Sequence, residues 1–189
     1  MNLLHLDSSI LGDNSVSRQL SAEIVAKLGA GKVTYHDLAS TPIPHLTLDA
    51  LGGESDNAKL SATLMAEFKA ADTIVIGLPM YNFGIPSQLK AWIDRIVIAG
   101  QTFRYTETGT VEGLAKGKRV IIAASRGGYY GATSPMAVFN HQSVYLQHVF
   151  GFIGITDVTV VEAEGMAVGP DAKAQGIANA EAAISKLAA

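Results

Sequence analysis

Five short apolar, β-branched runs alternate with five stretches of helical spacing, and that alternation leaves the chain very few folds. The runs are "LLHL" (3–6), "VTYHDL" (33–38), "DTIVIGL" (72–78), "KRVIIAAS" (118–125) and "TDVTVVEAEG" (156–165). Helical spacing covers 17–29, 57–71, 86–99, 138–151 and 171–188. A strand that must cross over through a helix before the next strand pairs in parallel, and the helices then cover both faces of the sheet. The crossovers are right-handed. The spacing predicts its clearest helix over 86–99, where Leu89, Trp92, Ile93, Ile96 and Val97 form one apolar stripe. Pro86 suits its first turn and Gly100 lies just past its end. The irregular stretches are 40–56 and 101–117, the latter with room for a hairpin. No repeat or linker divides the chain, so one domain over 1–189 is expected.

Composition excludes several classes. With 48% hydrophobic and 16% charged residues the chain is globular, and a net charge of −3 gives no footing for nucleic acid or an anionic membrane. The absence of Cys removes disulfides, thiolate nucleophiles and Cys-ligated metals together. "MNLLHLDSS" lacks the basic start of a signal sequence, and no apolar segment approaches the ~20 residues that span a bilayer. A soluble, cytoplasmic protein is expected.

Parallel doubly wound sheets bind ligands outside the carboxyl ends of their strands, near the switch in strand order. Three loops lie there. "DSSILGDNSVS" (7–17) offers hydroxyls and amides at a helix start, suited to a phosphate or simply to N-capping. "SRGGYYGATSP" (125–135) places Gly127 and Gly128 after an apolar strand, for close backbone approach, positive φ or a tight turn. "PMYNFGIP" (79–86) ends a strand with Met80, Tyr81, Asn82 and Phe83, either the wall of a slot or aromatics packed in a core. A phosphate cradle, a glycine pair and an apolar wall together suit a flat, phosphorylated heterocycle such as FMN.

"PMYNFGIPSQLKAWID" (79–94), "FRYTETG" (103–109), "SRGG" (125–128) and "GFIGITDV" (151–158), in that order and with the opening "DSSILGDNSVSRQLS" (7–21), resemble the FMN-dependent NADH:azoreductase and NADH:quinone oxidoreductase family of bacteria. The resemblance implies a flavodoxin-like α/β fold, a five-stranded parallel sheet of order 2-1-3-4-5. It implies that Ser9, Ser15, Val16 and Ser17 hold the FMN phosphate, and that Met80, Tyr81, Asn82 and Phe83 line the isoalloxazine and ribityl. Ser125, Arg126, Gly127 and Gly128 would meet the pyrimidine side. Tyr105 and Phe152 would cap the substrate space, with Tyr129 and Tyr130 in the same pocket, and two chains would pair with FMN near their interface. The implied reaction carries two electrons from NADH or NADPH to quinones or azo compounds through the flavin, with no side-chain nucleophile. The rival reading is a flavodoxin-type electron carrier without its own substrate. No metal is expected, since His141 and His148 stand seven apart with no completing ligands, and no G-x-S-x-G elbow supports a hydrolase.

Overall fold

A computed structural model of the chain describes residues 1–188. In chain order the strands are β1 (Asn2–Asp7), β2 (Lys32–Asp37), β3 (Thr73–Pro79), β4 (Phe103–Tyr105), β5 (Val111–Gly113), β6 (Arg119–Ser125) and β7 (Asp157–Ala163). The helices are α1 (Val16–Leu28), α2 (Asp56–Ala70), α3 (Ser87–Ile96), α4 (Ser143–Phe152) and α5 (Pro170–Ser185). Five strands form one parallel sheet in the order β2-β1-β3-β6-β7, which is 2-1-3-4-5 once the separate β4–β5 hairpin is set aside. That hairpin occupies the 101–117 stretch, and Arg104 pairs with Glu112 across it.

Side-chain alternation splits the core into two layers. On one face Leu4, Leu6, Ile74, Ile76, Leu78, Ile122 and Ala124 pack against Phe68 of α2, Leu89 and Trp92 of α3, and Leu146 and Phe150 of α4. On the other, Leu3, Val75, Ile121, Val161 and Ala163 pack against Leu20 and Ile24 of α1 and Ala180 and Ile184 of α5. Every residue of β3 is buried, as expected of the central strand of a sheet covered on both sides. Local chemistry sets the helix starts: Ser15 accepts from the Arg18 amide and Ser55 from the Ala58 amide, and Pro170 opens α5. Gly29 ends α1 in the left-handed conformation.

Two helices are shorter than their apolar spacing. The 86–99 pattern gives Ser87–Ile96, because Thr102 Oγ1 donates to the Ile96 carbonyl and accepts from the Ile98 amide, satisfying a chain that has left the helix. The 138–151 pattern gives only α4, preceded by a 3₁₀ turn at Ala137–Phe139, because Gln142 turns inward to bond two strand ends. The stripe of Leu89, Trp92, Ile93 and Ile96 is spent inside the chain, each at most 2% exposed, so it offers no surface for pairing.

Phe68 meets Trp92 edge to face at 6.1 Å, both fully buried. Phe68→Ala is expected to cost about 3–5 kcal/mol in urea denaturation, the usual range for a large aromatic deleted from a core. Because Trp92 is the sole tryptophan, its emission should also shift to the red; an unchanged midpoint and emission would contradict this packing.

Candidate functional site

In-register parallel pairing brings the three loops to one edge. Asp7 lies beside Gly77 and Pro79 beside Ser125, so the segments after β1, β3 and β6 leave the sheet side by side. Two bonds join them directly. The Met80 amide donates to the Ser125 carbonyl (2.9 Å), and the Ile10 amide donates to the Tyr81 hydroxyl (3.1 Å), which also lies 3.4 Å from Ser9 Oγ. Tyr81 thus stitches the first loop to the second.

The first loop is a compact polar cradle. Ser9, Ser15 and Ser17 are at most 2% exposed, and Val16 is 9% exposed. Ser15 Oγ and Ser17 Oγ share one hydrogen bond at 3.1 Å, so one of their two hydroxyl protons is left to donate elsewhere. Among the described residues the Val16 and Ser17 amides, at the start of α1, have no protein acceptor. Free donors at the positive end of a helix dipole make an anion site. Arg18, one residue on, is turned outward: its Nε and Nη2 donate to the Ser9 carbonyl (3.2 and 2.8 Å) and it pairs with Asp37. It braces the loop from behind.

That brace belongs to a network with a buried centre at His5, Asp7 and Ser21. Ser21 Oγ donates to Asp7 and lies 3.0 Å from His5 Nε2, and the Tyr35 hydroxyl donates to Asp7. Burial first, then the Asp7 carboxylate, pushes the Tyr35 phenol up to about 12. The Arg18 guanidinium holds the Asp37 carboxyl far below the usual carboxylate range. A depressed carboxylate contributes stability at neutral pH that disappears as pH falls through its folded value. Wild type should therefore lose stability below about pH 4 more steeply than Asp37→Asn, read from denaturant midpoints. Parallel curves would contradict the Arg18–Asp37 assignment.

The second loop is a tight hairpin turn. Tyr81 and Gly84 exchange both backbone bonds (3.1 and 3.0 Å), and the two central residues have positive φ, Asn82 at 48° and Phe83 at 70°. This is the φ pattern of a type I′ turn, with a side chain at each centre where glycine is easiest. Such strain persists where surrounding contacts hold it, and it concentrates at functional sites. It leaves Phe83 42% exposed, in contact with Phe139 (5.3 Å) and Tyr130 (6.1 Å). Phe139 is a wall residue that the sequence did not single out, since nothing local links it to Phe83. Asn82→Val is expected to destabilise the protein by about 1–2 kcal/mol and Asn82→Gly to leave it unchanged or firmer, by chemical denaturation.

The third loop differs from its sequence reading in two ways. Neither Gly127 nor Gly128 has a left-handed φ, and an added Cβ meets the Ala167 methyl at 3.4 Å or the Tyr130 ring at 3.3 Å. Among the described residues their amides have no protein acceptor. Arg126 is 1% exposed and faces inward, bonded to Glu162, Glu164, Gln142 and Ser143. Its amide donates to Ala163 and its carbonyl accepts from Met166. Arg126 is therefore consumed in holding the loop.

The expected aromatic pocket is also divided. Tyr130 stands with Phe83, whereas Tyr129 lies over Gly165 in a separate pocket with Glu162, Glu164, Gln175 and Asn179. Tyr105 and Phe152, 66% and 41% exposed, are gathered around Phe103 at 5.7 and 4.8 Å. Among the described aromatic pairs neither touches the Phe83 group. No cluster of His, Cys, Asp and Glu among the described residues has metal-site geometry, and no helix is long and apolar enough to cross a membrane.

A 2-1-3-4-5 parallel sheet with a phosphate-ready helix start after its first strand defines the flavodoxin class. The family model described as "Flavodoxin-like fold" matches residues 1–188. A protein of Gluconobacter oxydans named FMN-dependent NADH:quinone oxidoreductase is 53% identical over 202 residues, covering 99% of this chain and 100% of that protein. One of Rhizobium meliloti with the same name is 50% identical, covering 98% and 96%. The structure of an FMN-dependent NADH-azoreductase from Bacillus anthracis in complex with FMN superposes with a TM-score of 0.85 at 28% identity, covering 100% of this chain and 99% of that one. The chain belongs to the flavodoxin-like family and, within it, to the family of the FMN-dependent NADH:quinone oxidoreductases.

Proposed function

We propose that the protein is an FMN-dependent NAD(P)H oxidoreductase that reduces quinones and azo compounds. The observation that carries this is the convergence, at one sheet edge, of an uncharged anion cradle, a strained aromatic turn and a pair of unpartnered glycine amides. The residues fit FMN. The spare hydroxyl proton of the Ser15–Ser17 pair and the amides of Val16 and Ser17 suit a phosphate, with Ser9 beside them. When bound, FMN would supply the redox chemistry, a two-electron exchange between NAD(P)H and the acceptor that shares the slot.

This chain's own residues supply position and electrostatics. Met80, Tyr81, Asn82 and Phe83 form a wall that excludes water, and the strained turn holds Phe83 outward over the slot. The Gly127 and Gly128 amides donate toward negative charge gained on the pyrimidine side, at no cost of reorganisation because their loop is already fixed. Tyr130 and Phe139 extend the wall toward the acceptor. We assign FMN contact on the third loop to Ser125, Gly127 and Gly128, with Arg126 behind them.

Tyr105 and Phe152 stand apart from the Phe83 group yet are highly exposed, an arrangement suited to reaching a neighbouring copy's slot. A homodimer with FMN near its interface follows, resting on exposed Phe83, Tyr105, Phe139 and Phe152 and not on the buried α3 stripe. The chain acts as one flavodoxin-like domain in the cytoplasm, with no nucleic-acid or membrane partner.

Anaerobic NADH should bleach the FMN-loaded protein's visible absorbance without any added reductase. An electron carrier would stay oxidised under the same conditions, and a protein that refuses FMN would overturn the reading. Ser17→Ala should weaken FMN binding about tenfold or more while leaving riboflavin binding within twofold, because riboflavin lacks the phosphate; equal losses would remove Ser17 from the phosphate site.

A further inference from the structure

The four residues before and into α4, Asn140-His141-Gln142-Ser143, bond to both the second and the third loop. The His141 amide donates to the Phe83 carbonyl at 3.1 Å, at the strained turn. Asn140 Nδ2 donates to the Tyr130 carbonyl (3.4 Å), and Ser143 Oγ accepts from Arg126 Nη2 (2.8 Å). Gln142 has no solvent exposure and is the centre of the arrangement. Its Nε2 donates to the Leu78 carbonyl (2.8 Å) and the Ser125 carbonyl (3.3 Å), and its Oε1 accepts from Arg126 Nε (2.8 Å). Leu78 lies at the end of β3 and Ser125 at the end of β6.

We propose that Gln142 is a positioning residue that sets the separation and tilt of the two flavin-facing loops, resting on the FMN reading above. One planar amide spans the last turns of two adjacent strands and anchors the guanidinium directly behind Gly127 and Gly128. Through Arg126 the same bridge reaches Glu164, which accepts from Arg126 Nη1 (3.0 Å) and from the Tyr130 amide (2.6 Å). The strained Phe83 turn, the glycine amides and Tyr130 therefore share one buried support. A buried polar network of this kind is strong when every member is satisfied and collapses as a unit when one is lost. It also accounts for the break in the helical pattern at 138–142: Gln142 leaves helical geometry (φ −82°, ψ −80°) to make these bonds.

Gln142→Met keeps the length and removes the hydrogen bonds, and Gln142→Asn keeps the amide and removes the reach. Each apoprotein is titrated with FMN by flavin fluorescence, its midpoint potential is measured when loaded, and amide hydrogen exchange is followed at 79–86 and 125–130. Both variants should bind FMN at least tenfold more weakly, with a more negative potential because the amides no longer meet the reduced form. Exchange should quicken in both loops together. If either variant fails to fold, the exchange and titration of the other decide. Variants that melt earlier but keep FMN affinity within twofold, an unmoved potential and unchanged loop exchange would reduce Gln142 to a core-packing role and overturn the proposal. Retention by Gln142→Met alone would also overturn it, since shape and not hydrogen bonding would then suffice. A wild type that refuses FMN overturns the functional reading and this inference with it; a wild type that binds beside equally binding variants overturns only the inference.

Discussion

The in-register parallel ladder between β1, β3 and β6 is the constraint on which everything else rests. Its hydrogen bonds align Asp7 with Gly77 and Pro79 with Ser125, so three loops far apart in the chain emerge within reach of one another. Because β3 is buried on both faces, the ladder has no freedom to slip without exposing a full apolar strand. The loops can then be irregular, strained and half-exposed, because the sheet beneath them is not.

Charge is used at this edge as scaffolding. Both arginines nearest the cradle and the glycine pair are directed away from the slot: Arg18 to Asp37 and the Ser9 carbonyl, Arg126 to Glu162 and Glu164. What faces the slot is neutral: hydroxyls, amides and aromatic edges. Preoriented neutral dipoles of this kind can hold an anion without the desolvation of a paired cation. The aromatic turn follows the same economy, since positive φ at Asn82 and Phe83 is held by the Tyr81–Gly84 bonds and by the His141 amide on the Phe83 carbonyl.

Arg126 illustrates how packing decides where the charge of a motif is spent. "SRGG" follows the fourth sheet strand, its charged residue lies inside the protein and its glycines lie outside the left-handed φ region. The stripe on 86–99 likewise marks a real helix, yet Leu89, Trp92, Ile93 and Ile96 are core and Val97 is partly buried against them. Phe139 and Gln142 lay in a stretch whose apolar spacing resembled one continuous helix; tertiary hydrogen bonds to Leu78, Ser125 and Phe83 broke it.

From the residues alone came the element order, the parallel sheet, the hairpin in 101–117 and the three loops that share one sheet edge, because periodicity, caps and turn residues act over a few positions. Only the tertiary structure decided which side chains turn inward, that Asn82 and Phe83 are held at positive φ, and that Tyr129, Tyr105 and Phe152 stand away from Phe83. Many of those outcomes depend on distant partners, such as Gln142 with Arg126, 16 residues apart, and Tyr81 with Ser9, 72 apart. No local pattern encodes such pairs; the packing of the sheet selects them.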